Sequence, residues 1–416
     1  MNGMKRHFSM AWRNIMRRRR RTLITAATVA GGLLISLTFT GTADWSYANM
    51  IDTSAKMGYG HVTVAPRDYF ESPTINKRIH NCDAIRETVL RDGGVVDAVV
   101  RIFGQGMFAT ASKSVGGTMI GIDPAHDSAQ RNVFISALKE GKLFTGADDP
   151  EVVIGMKLAE KLNLHIGKKL IYTSADINGE IFSGMARVGG IFRTGAETVD
   201  GGVILLPIDR LRHALHYGPQ DATLIAAFID DQRRAPEISS RLATRLRLKN
   251  AEILPWPQTQ AELAGLISID HASNVLYQFF VGLLVAAGIL DTILMSVLER
   301  KHEFGVMLAV GMDPKKLFLL VLAESFYIGV LGLVIGGLIA VPWYWFMHQT
   351  GIDLASYIPE GYDAGGVPLE TVLKMRLYWE SLVVIMAGVF SLTLAAGLYP
   401  AWKASRIPPV ESMRGI

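Results

Sequence analysis

The chain has 416 residues, of which 50% are hydrophobic and only 19% are charged, and its mean hydropathy is +0.26. This composition is too apolar for an ordinary soluble protein and indicates a membrane protein. The formal net charge is +4, which we assign largely to basic residues flanking the apolar segments. The single cysteine, Cys82, excludes an intramolecular disulfide, so a large domain must be stabilised by its own core.

Four apolar segments are long enough to cross a bilayer. Residues 22–43 and 381–398 contain no charged side chain, and residues 272–298 and 317–341 contain only Asp291 and Glu324, respectively. A helix rises about 1.5 Å per residue and a bilayer core is about 30 Å thick. We therefore predict transmembrane helices at residues 22–43, 272–298, 317–347 and 377–399. The first is expected to be an uncleaved anchor, because it exceeds the apolar region of a signal peptide.

Basic residues set the expected orientation. They are concentrated in residues 1–21, 299–316 and 400–416, and the positive-inside rule places these three segments in the cytoplasm. Residues 1–21 also read as a basic amphipathic segment. The arginine run at positions 17–21 is interpreted as topogenic and lipid-facing rather than as a nucleic-acid site. Residues 44–271 and the short loop 348–376 are then extracytoplasmic.

Residues 44–271 alternate between strand and helix patterns, which predicts an α+β domain. Expected strands lie at residues 61–65, 99–110, 117–122, 170–174, 181–193, 203–207 and 223–230. Expected helices lie at 208–216 and 237–246, and residues 83–91 and 150–164 are helical or mixed. The DING sequence at 176–179 predicts a tight hairpin turn. The fold class is therefore an α-helical membrane protein with four transmembrane helices and a large extracytoplasmic α+β domain inserted between helices 1 and 2.

Motifs for enzymatic chemistry are absent from the sequence. There is no GxxxxGK[ST], HExxH, CxxC or GxSxG pattern, so we predict no catalytic residue, no metal, no cofactor and no ATP hydrolysis by this chain. Asp291 and Glu324 are expected at similar depth in the membrane. They could form a proton relay, but an interhelical polar contact is the favoured interpretation. Gly332 and Gly336 have the small-xxx-small spacing of packed membrane helices, and sequence alone leaves this contact open.

Residues 299–316 connect the second and third apolar segments. The sequence predicts that the second helix continues to about Val310, that Gly311 stops it, and that Asp313 caps the next helix with Pro314 at its first position. The helix, a tight turn and the third apolar segment then follow one another with no flexible linker between them. We call residues 299–316 the elbow. It is a place where a soluble partner could push on two membrane helices.

Three sequence blocks resemble ABC transporter permeases of the MacB/FtsX-like family. These are AWRNIMRRRRRTLIT near the N-terminus, ERKHEFGVMLAVGMDPKKL in the elbow and AAGLYPAWKASRIPPVESMRGI at the C-terminal end. Within that family, GHVTVAPRDYFESPTINKRI and EVVIGMKLAEKLNLHIGKKL are most similar to the lipoprotein-releasing, LolC/LolE-like branch.

The resemblance implies a bacterial inner-membrane permease that works with two copies of a separate ABC ATPase and with a second permease subunit, either identical or homologous. The resemblance allows a periplasmic partner but does not identify one. The residues that match the coupling-loop pattern of the family are Glu299, Glu303, Gly305, Ala309 and Gly311. The outer halves of helices 1 and 2 are expected to line the cargo path beside membrane lipid, through Leu37, Phe39, Phe279 and Phe280.

Three functions follow from this resemblance. The favoured one is release or movement of a lipoprotein or other amphipathic envelope molecule, although the short DING hairpin argues against direct capture by a chaperone. The second is mechanical drive of a tripartite efflux system. The third is a non-transporting permease that controls a cell-wall hydrolase, and the size of the expected extracytoplasmic domain argues against it.

Overall fold

The computed structural model describes residues 19–357, 363–368 and 370–408. Residues 1–18 of the basic N-terminal segment and residues 409–416 of the C-terminal tail therefore lie outside the described residues. Contacts divide the chain into a helical unit of Met1–Ser46, Ile269–Asp353 and Val372–Ile416, and an inserted unit of Tyr47–Ser268 and Leu354–Thr371.

Helices are found in both units. In chain order they are α1 (Arg19–Ser54), α2 (Cys82–Leu90), α3 (Val133–Ser136), α4 (Met156–Leu162), α5 (Glu197–Asp200), α6 (Ile208–Ala214), α7 (Ala235–Leu246), α8 (Trp256–Thr259), α9 (Ala261–Glu299), α10 (Lys301–Ala309), α11 (Pro314–Gln349) and α12 (Trp379–Ser405). A π-helical turn, Ala55–Tyr59, extends α1, and a 3₁₀ turn, Gln232–Arg234, precedes α7.

Within the described residues, four helices are long and apolar enough to cross a membrane, namely α1 with its π turn, α9, α11 and α12. They contain the four segments that the sequence predicts. Two of them extend well past those segments, since α1 continues to Ser54 and α9 begins at Ala261. The 39 residues of α9 correspond to a helix of about 58 Å, much longer than the apolar core of a bilayer.

In the helical unit, α11 packs closely on α1 through two glycines. A Cβ atom at Gly332 would lie 2.5 Å from Cβ of Val29. A Cβ atom at Gly336 would lie 2.9 Å from Cδ2 of Leu33 and 3.1 Å from Cα of Ala30. The small-xxx-small spacing therefore marks a true helix–helix contact, in which the missing side chains let the backbones approach.

Polar side chains connect α1 to both of its neighbours in the same unit. The side-chain amide of Gln278 on α9 donates to the carbonyl of Ser36 and to Thr40 Oγ1, at 3.1 and 3.0 Å. The indole nitrogen of Trp343 on α11 donates to Thr38 Oγ1 at 2.9 Å. Such hydrogen bonds between membrane helices contribute on the order of 1 kcal/mol each and fix the rotation of the helices.

The inserted unit is built on one ten-stranded sheet. Its strands are β1 (Val62–Pro66), β2 (Val95–Ala109), β3 (Ser114–Ile122), β4 (Leu138–Gly141), β5 (Glu151–Gly155), β6 (Lys169–Ala175), β7 (Ile181–Phe192), β8 (Val203–Pro207), β9 (Leu224–Ile229) and β10 (Ala251–Pro255). The order is β10-β1-β9-β2-β3-β8-β5-β7-β4, and β6 pairs with β2 and β7. The β3–β8 and β5–β7 pairs are parallel and the other pairs are antiparallel.

Two-residue strands complete the described elements. They are β11 (Ile352–Asp353), β12 (Asp363–Ala364), β13 (Val367–Pro368) and β14 (Val372–Leu373). The pair β11–β14 belongs to the helical unit, and the pair β12–β13 belongs to the inserted unit.

The long strand β2 joins the two halves of the sheet. It pairs with β9 from Val95 to Arg101 and with β3 from Ile102 to Ala109. Arg101, at the change of partner, forms a 2.6 Å ion pair with Asp127, and both side chains are 1% exposed. Asp127 also accepts a hydrogen bond from Asn132. Separate apolar clusters pack on either side of this point, one against α2 and α7 and one against α4 and α6.

The predicted strands and helices of residues 44–271 are confirmed to within a few residues. The hairpin turn at 176–179 is also confirmed, with Gly179 at φ 81° between β6 and β7. The mixed segment 150–164 resolves into β5 followed directly by α4. Two edge strands, β4 and β10, were not predicted, because neither has the alternating apolar pattern of a half-buried strand.

The glycine contact predicts different effects for two neighbouring substitutions in α11. Gly336→Ala should lower the free energy of unfolding by about 1–3 kcal/mol, since the added methyl group overpacks the contact with α1. Gly337→Ala should be neutral or slightly stabilising, because no atom lies within 4 Å of a Cβ at that position. Thermal unfolding of the full chain in detergent measures both. Equal stability of the two variants would show that the close contact is not formed.

Candidate coupling site at the elbow

The elbow contains two breaks in the helical path. The first is Arg300, which separates α9 from α10 with φ −101° and ψ 14°. The second is the turn after Val310, where Gly311 has φ 96°. Asp313 caps α11 by accepting a 2.9 Å hydrogen bond from the amide of Lys315. The predicted stop, cap and first-position proline are therefore confirmed. The expectation of a continuous helix to Val310 is wrong, because the helix breaks where the Arg300 side chain turns inward.

Arg300 is the most extensively bonded residue of the elbow. Its Nη1 donates to Glu324 Oε1 at 2.8 Å, and its Nε donates to Glu303 Oε2 at 2.9 Å. The guanidinium also lies 4.6 Å from the ring centre of Phe304, which is fully buried. Burial by itself would lower the pKa of Arg300, but the charge and hydrogen bonds of Glu324 and Glu303 outweigh it and raise the pKa. The guanidinium therefore stays charged although only 6% of its side chain is exposed.

The two carboxylates of the apolar segments, Asp291 and Glu324, do not meet. Glu324 lies on α11 and pairs with Arg300, so its polar contact is with the elbow rather than with Asp291. Asp291 lies on an exposed face of α9. An interhelical contact between these two residues is therefore not formed within this chain.

The five predicted coupling residues occupy different surroundings. Glu299 accepts a 2.6 Å hydrogen bond from Arg21 of α1, whose second Nη atom donates to the carbonyl of Thr292. Glu303 is half-exposed and bonds to Arg300. Gly305 is buried, whereas Ala309 and Gly311 are exposed. Glu303, Ala309 and Gly311 thus lie on the open surface of the elbow, while Glu299 is held against α1 and Gly305 faces inward.

An apolar stripe on α10 was missed by the sequence reasoning. Val306 and Val310 are 39% and 84% exposed, and together with Ala309 they form what we call the elbow stripe. The exposed side chains of Lys301 and His302 belong to the same short helix. Spacing of three and four residues places the stripe on one helix face, and this spacing was visible in the sequence. An exposed apolar stripe with polar neighbours is typical of a protein-binding surface.

The residues predicted to line a cargo path divide into two groups. Phe39, Phe279 and Phe280 are more than half exposed. Leu37 is only 6% exposed and packs with Leu33 and Ala340 of α11, so its side chain is part of the bundle core and cannot line an open path.

A cleft of about 260 Å³ adjoins Phe39 within the helical unit. Its lining is amphipathic, with aromatic and aliphatic side chains beside polar ones: Phe39, Thr42, Ala43, Ser46, Asp270, Asn274, Tyr277 and Leu373. The polar residues Asp270 and Asn274 lie about two turns and one turn, respectively, before Gln278 on α9.

The described residues contain no group of three or more histidine, cysteine or acidic side chains that could hold a metal ion. At the elbow, the ion pairs of Arg300 with Glu303 and Glu324 position α10 relative to α11.

Two family models match the chain. The MacB-like periplasmic core domain matches residues 22–245, and the FtsX-like permease C-terminal domain matches residues 275–409. The second match includes the elbow, and the first includes most of α1 and of the inserted unit.

Individual proteins are similar to this chain at low identity. The chain is 22% identical to the lipoprotein-releasing system transmembrane protein LolC of Xylella fastidiosa, over 67% of each chain. It is also 22% identical to an uncharacterized ABC transporter permease of Methanocaldococcus jannaschii, over 98% of this chain and 97% of that one. The periplasmic region of MacB from Actinobacillus actinomycetemcomitans aligns with a TM-score of 0.34 at 16% identity, over 51% of this chain and 96% of that one.

The MacB-like model covers more than half of the chain, and the FtsX-like model covers most of the remainder. Together they follow the order of one long helix, a large inserted unit and three further long helices. The chain therefore belongs to the MacB/FtsX-like family of ABC transporter permeases.

Proposed function

We propose that this permease uses ATP hydrolysis by a separate ATPase to move or extract a lipoprotein or other amphipathic envelope molecule. The observation that carries the proposal is the elbow. It presents the exposed stripe of Val306, Ala309 and Val310 on a short helix joined to two long helices by single-residue or tight-turn breaks. A partner that pushes on α10 would displace α9 and α11 directly. The similarity to a protein named for lipoprotein release supports the choice of cargo class.

The ATPase is proposed as a separate subunit in two copies, because the sequence has no P-loop. The elbow then lies in the cytoplasm with both termini, the inserted unit lies on the other side of a bacterial inner membrane, and the basic flanks support this orientation.

A second permease subunit is proposed to cover one face of α9. That face exposes apolar side chains and one carboxylate: Leu276, Phe280, Leu283, Leu284, Asp291, Met295 and Leu298. A charged side chain at the bilayer centre costs roughly 2.5–3.5 kcal/mol on insertion scales, so a charged Asp291 is unfavourable against lipid. Contact with a polar group of a second subunit would remove this cost.

The second candidate function is mechanical drive of an efflux system. It is supported by the match of residues 22–245 to the MacB-like periplasmic core domain. This alternative keeps the ATPase, the elbow and the orientation, and it differs only in the cargo and in the extracytoplasmic partner.

The elbow stripe predicts a site-specific loss of ATPase binding. Val310→Asp should reduce co-purification of the ATPase at least tenfold, because it places a carboxylate in an apolar contact. Glu303→Lys should weaken the complex less, since Glu303 lies at the edge of the stripe and rim charges contribute little. Val96→Asp is the matched control, because Val96 is an exposed valine of the inserted unit. Retention of the ATPase by Val310→Asp at the wild-type level would contradict the proposed contact.

The proposed orientation predicts which cysteines react in intact spheroplasts. Lys113→Cys, in the inserted unit, should react with a membrane-impermeant maleimide, and Lys316→Cys should react only after permeabilisation. Both substitutions are made in a Cys82→Ser background. Reaction of Lys316→Cys in intact spheroplasts would show that the proposed orientation is wrong.

Native Cys82 should not react in the folded chain, wherever the inserted unit lies. Burial, together with the nearby Asp83 carboxylate, raises its pKa to about 11. The thiolate, which is the reactive form, is therefore scarce at neutral pH. Reaction after denaturation confirms that the thiol itself is intact, and rapid labelling of the native chain would show that Cys82 is not buried.

The cargo assignment predicts crosslinks from the outer halves of α1 and α9. Photoreactive residues at Phe39 and Phe280 should crosslink to acylated protein in the complex with its ATPase, and the crosslinks should disappear on ATP hydrolysis. An apolar surface is needed there, because each acyl methylene exposed to water costs about 0.8 kcal/mol. The control is a photoreactive residue at Leu37, which is buried and should crosslink neither to acylated protein nor to lipid. Crosslinks to bulk lipid alone would favour the efflux function.

A further inference from the structure

The elbow helix α10 is attached to α11 at both of its ends. At its C-terminal end the attachment is the covalent turn from Gly311 to the Asp313 cap. At its N-terminal end the attachment is the ion pair from Arg300 to Glu324. Glu324 lies ten residues into α11, which corresponds to about 15 Å along the helix axis. The two attachments are therefore well separated on α11.

The ion pair is built so that it resists sliding. The planar guanidinium uses two different nitrogens for Glu324 and Glu303, and its face lies on the Phe304 ring. This arrangement needs the fork of arginine, which a lysine ammonium cannot reproduce. Glu324 is flanked along α11 by buried apolar side chains, including Val321 and Ala323. Breaking the ion pair would separate two opposite charges in these surroundings, which is strongly unfavourable.

Two separated attachments have a mechanical consequence. With the Gly311 turn alone, α10 could rotate about its C-terminal end without moving α11. With Arg300 bound to Glu324, such a rotation must either break the ion pair or displace α11. A force applied to the elbow stripe then acts on α11 at two places, Glu324 and the first turn of α11.

We propose that Arg300 is a positioning residue that transmits displacement of α10 to α11 through Glu324, and that it is required for coupling but not for binding of the ATPase. This inference rests on the proposed function, in which α10 is the contact surface of the ATPase.

The key variant replaces the pair by apolar side chains, Arg300→Met with Glu324→Leu. Replacement of a buried ion pair by apolar residues is often neutral or stabilising, so this double variant is expected to fold. It lacks the directional hydrogen bonds of the pair. Two further variants are Arg300→Lys, which keeps the charge but loses the fork, and the exchange of Arg300→Glu with Glu324→Arg. The exchange is made together with Glu303→Gln, so that the new glutamate does not face a second carboxylate. The matched control is Arg21→Gln, which breaks the neighbouring ion pair between α1 and Glu299 and leaves Arg300 intact.

The first measurement is amide hydrogen exchange of the full permease in nanodiscs, without ATPase. The amides of α10 should exchange at least tenfold faster in the apolar double variant than in wild type. Arg300→Lys should give an intermediate rate, the exchanged pair should restore the slow rate, and Arg21→Gln should leave α10 unchanged. A wild-type exchange rate of α10 in the double variant, or failure of the exchanged pair to restore it, would overturn the inference. This measurement does not depend on the ATPase, so it decides the attachment even if the proposed function fails.

The second measurement uses the permease reconstituted with its ATPase and a triacylated lipopeptide as the probe. The double variant should co-purify with the ATPase within twofold of wild type and hydrolyse ATP with an unchanged KM. The change in kcat caused by the lipopeptide should fall at least tenfold. Loss of ATPase binding as severe as in Val310→Asp would mean that Arg300 shapes the contact surface instead, and normal lipopeptide response would mean that the pair does not transmit displacement. Failure of the wild-type chain to bind the ATPase would count against the proposed function alone.

Discussion

The close approach of α11 to α1 is the contact on which the rest of the helical unit depends. In lipid, apolar helices gain little from burying apolar side chains, so association relies on close packing and on hydrogen bonds between helices. Gly332 and Gly336 supply the packing, and the hydrogen bond from Trp343 to Thr38 fixes the rotation. The amide of Gln278 then fixes α9 on the other side of α1. The first helix is thus the common partner of the two helices that continue into the elbow.

Two ion pairs connect the helices at the elbow end of the bundle. Arg21 joins the beginning of α1 to Glu299 at the end of α9, and Arg300 joins the elbow to Glu324 of α11. The first pair is partly exposed, and exposed pairs contribute only about 0–1 kcal/mol. The second pair is buried. It contributes little net stability, but separating its two charges costs much free energy. A site that must move as a unit is well served by a contact that is costly to separate.

Much of this arrangement could be predicted from the sequence, because local signals agree with the fold. Apolar run lengths indicate the four long helices, and Gly311, Asp313 and Pro314 indicate the turn of the elbow. Other features depend on contacts between distant residues. The break at Arg300 occurs in a sequence with no helix-breaking residue, and it follows from the inward side chain that reaches Glu324. The burial of Leu37 likewise depends on which face of α1 meets α11. The Arg101–Asp127 pair joins a strand to a loop beyond the next strand, which no local pattern indicates.

The candidate site was predicted in location but not in composition. Family-like residues marked the elbow, yet the exposed apolar side chains at α10 and its C-terminal end are Val306 and Val310, which a search for polar motifs passes over. The same contrast applies to the carboxylates of the long helices. Glu324 has its cation within the chain, whereas Asp291 faces outward on α9. Since the bilayer penalises a charge wherever it lies at depth, a different solution is required for each. Glu324 is paired with Arg300, which also makes the elbow rigid. For Asp291, we propose contact with the second permease subunit. The same cost of placing a charge in the bilayer is therefore relevant both to the proposed coupling and to the proposed assembly.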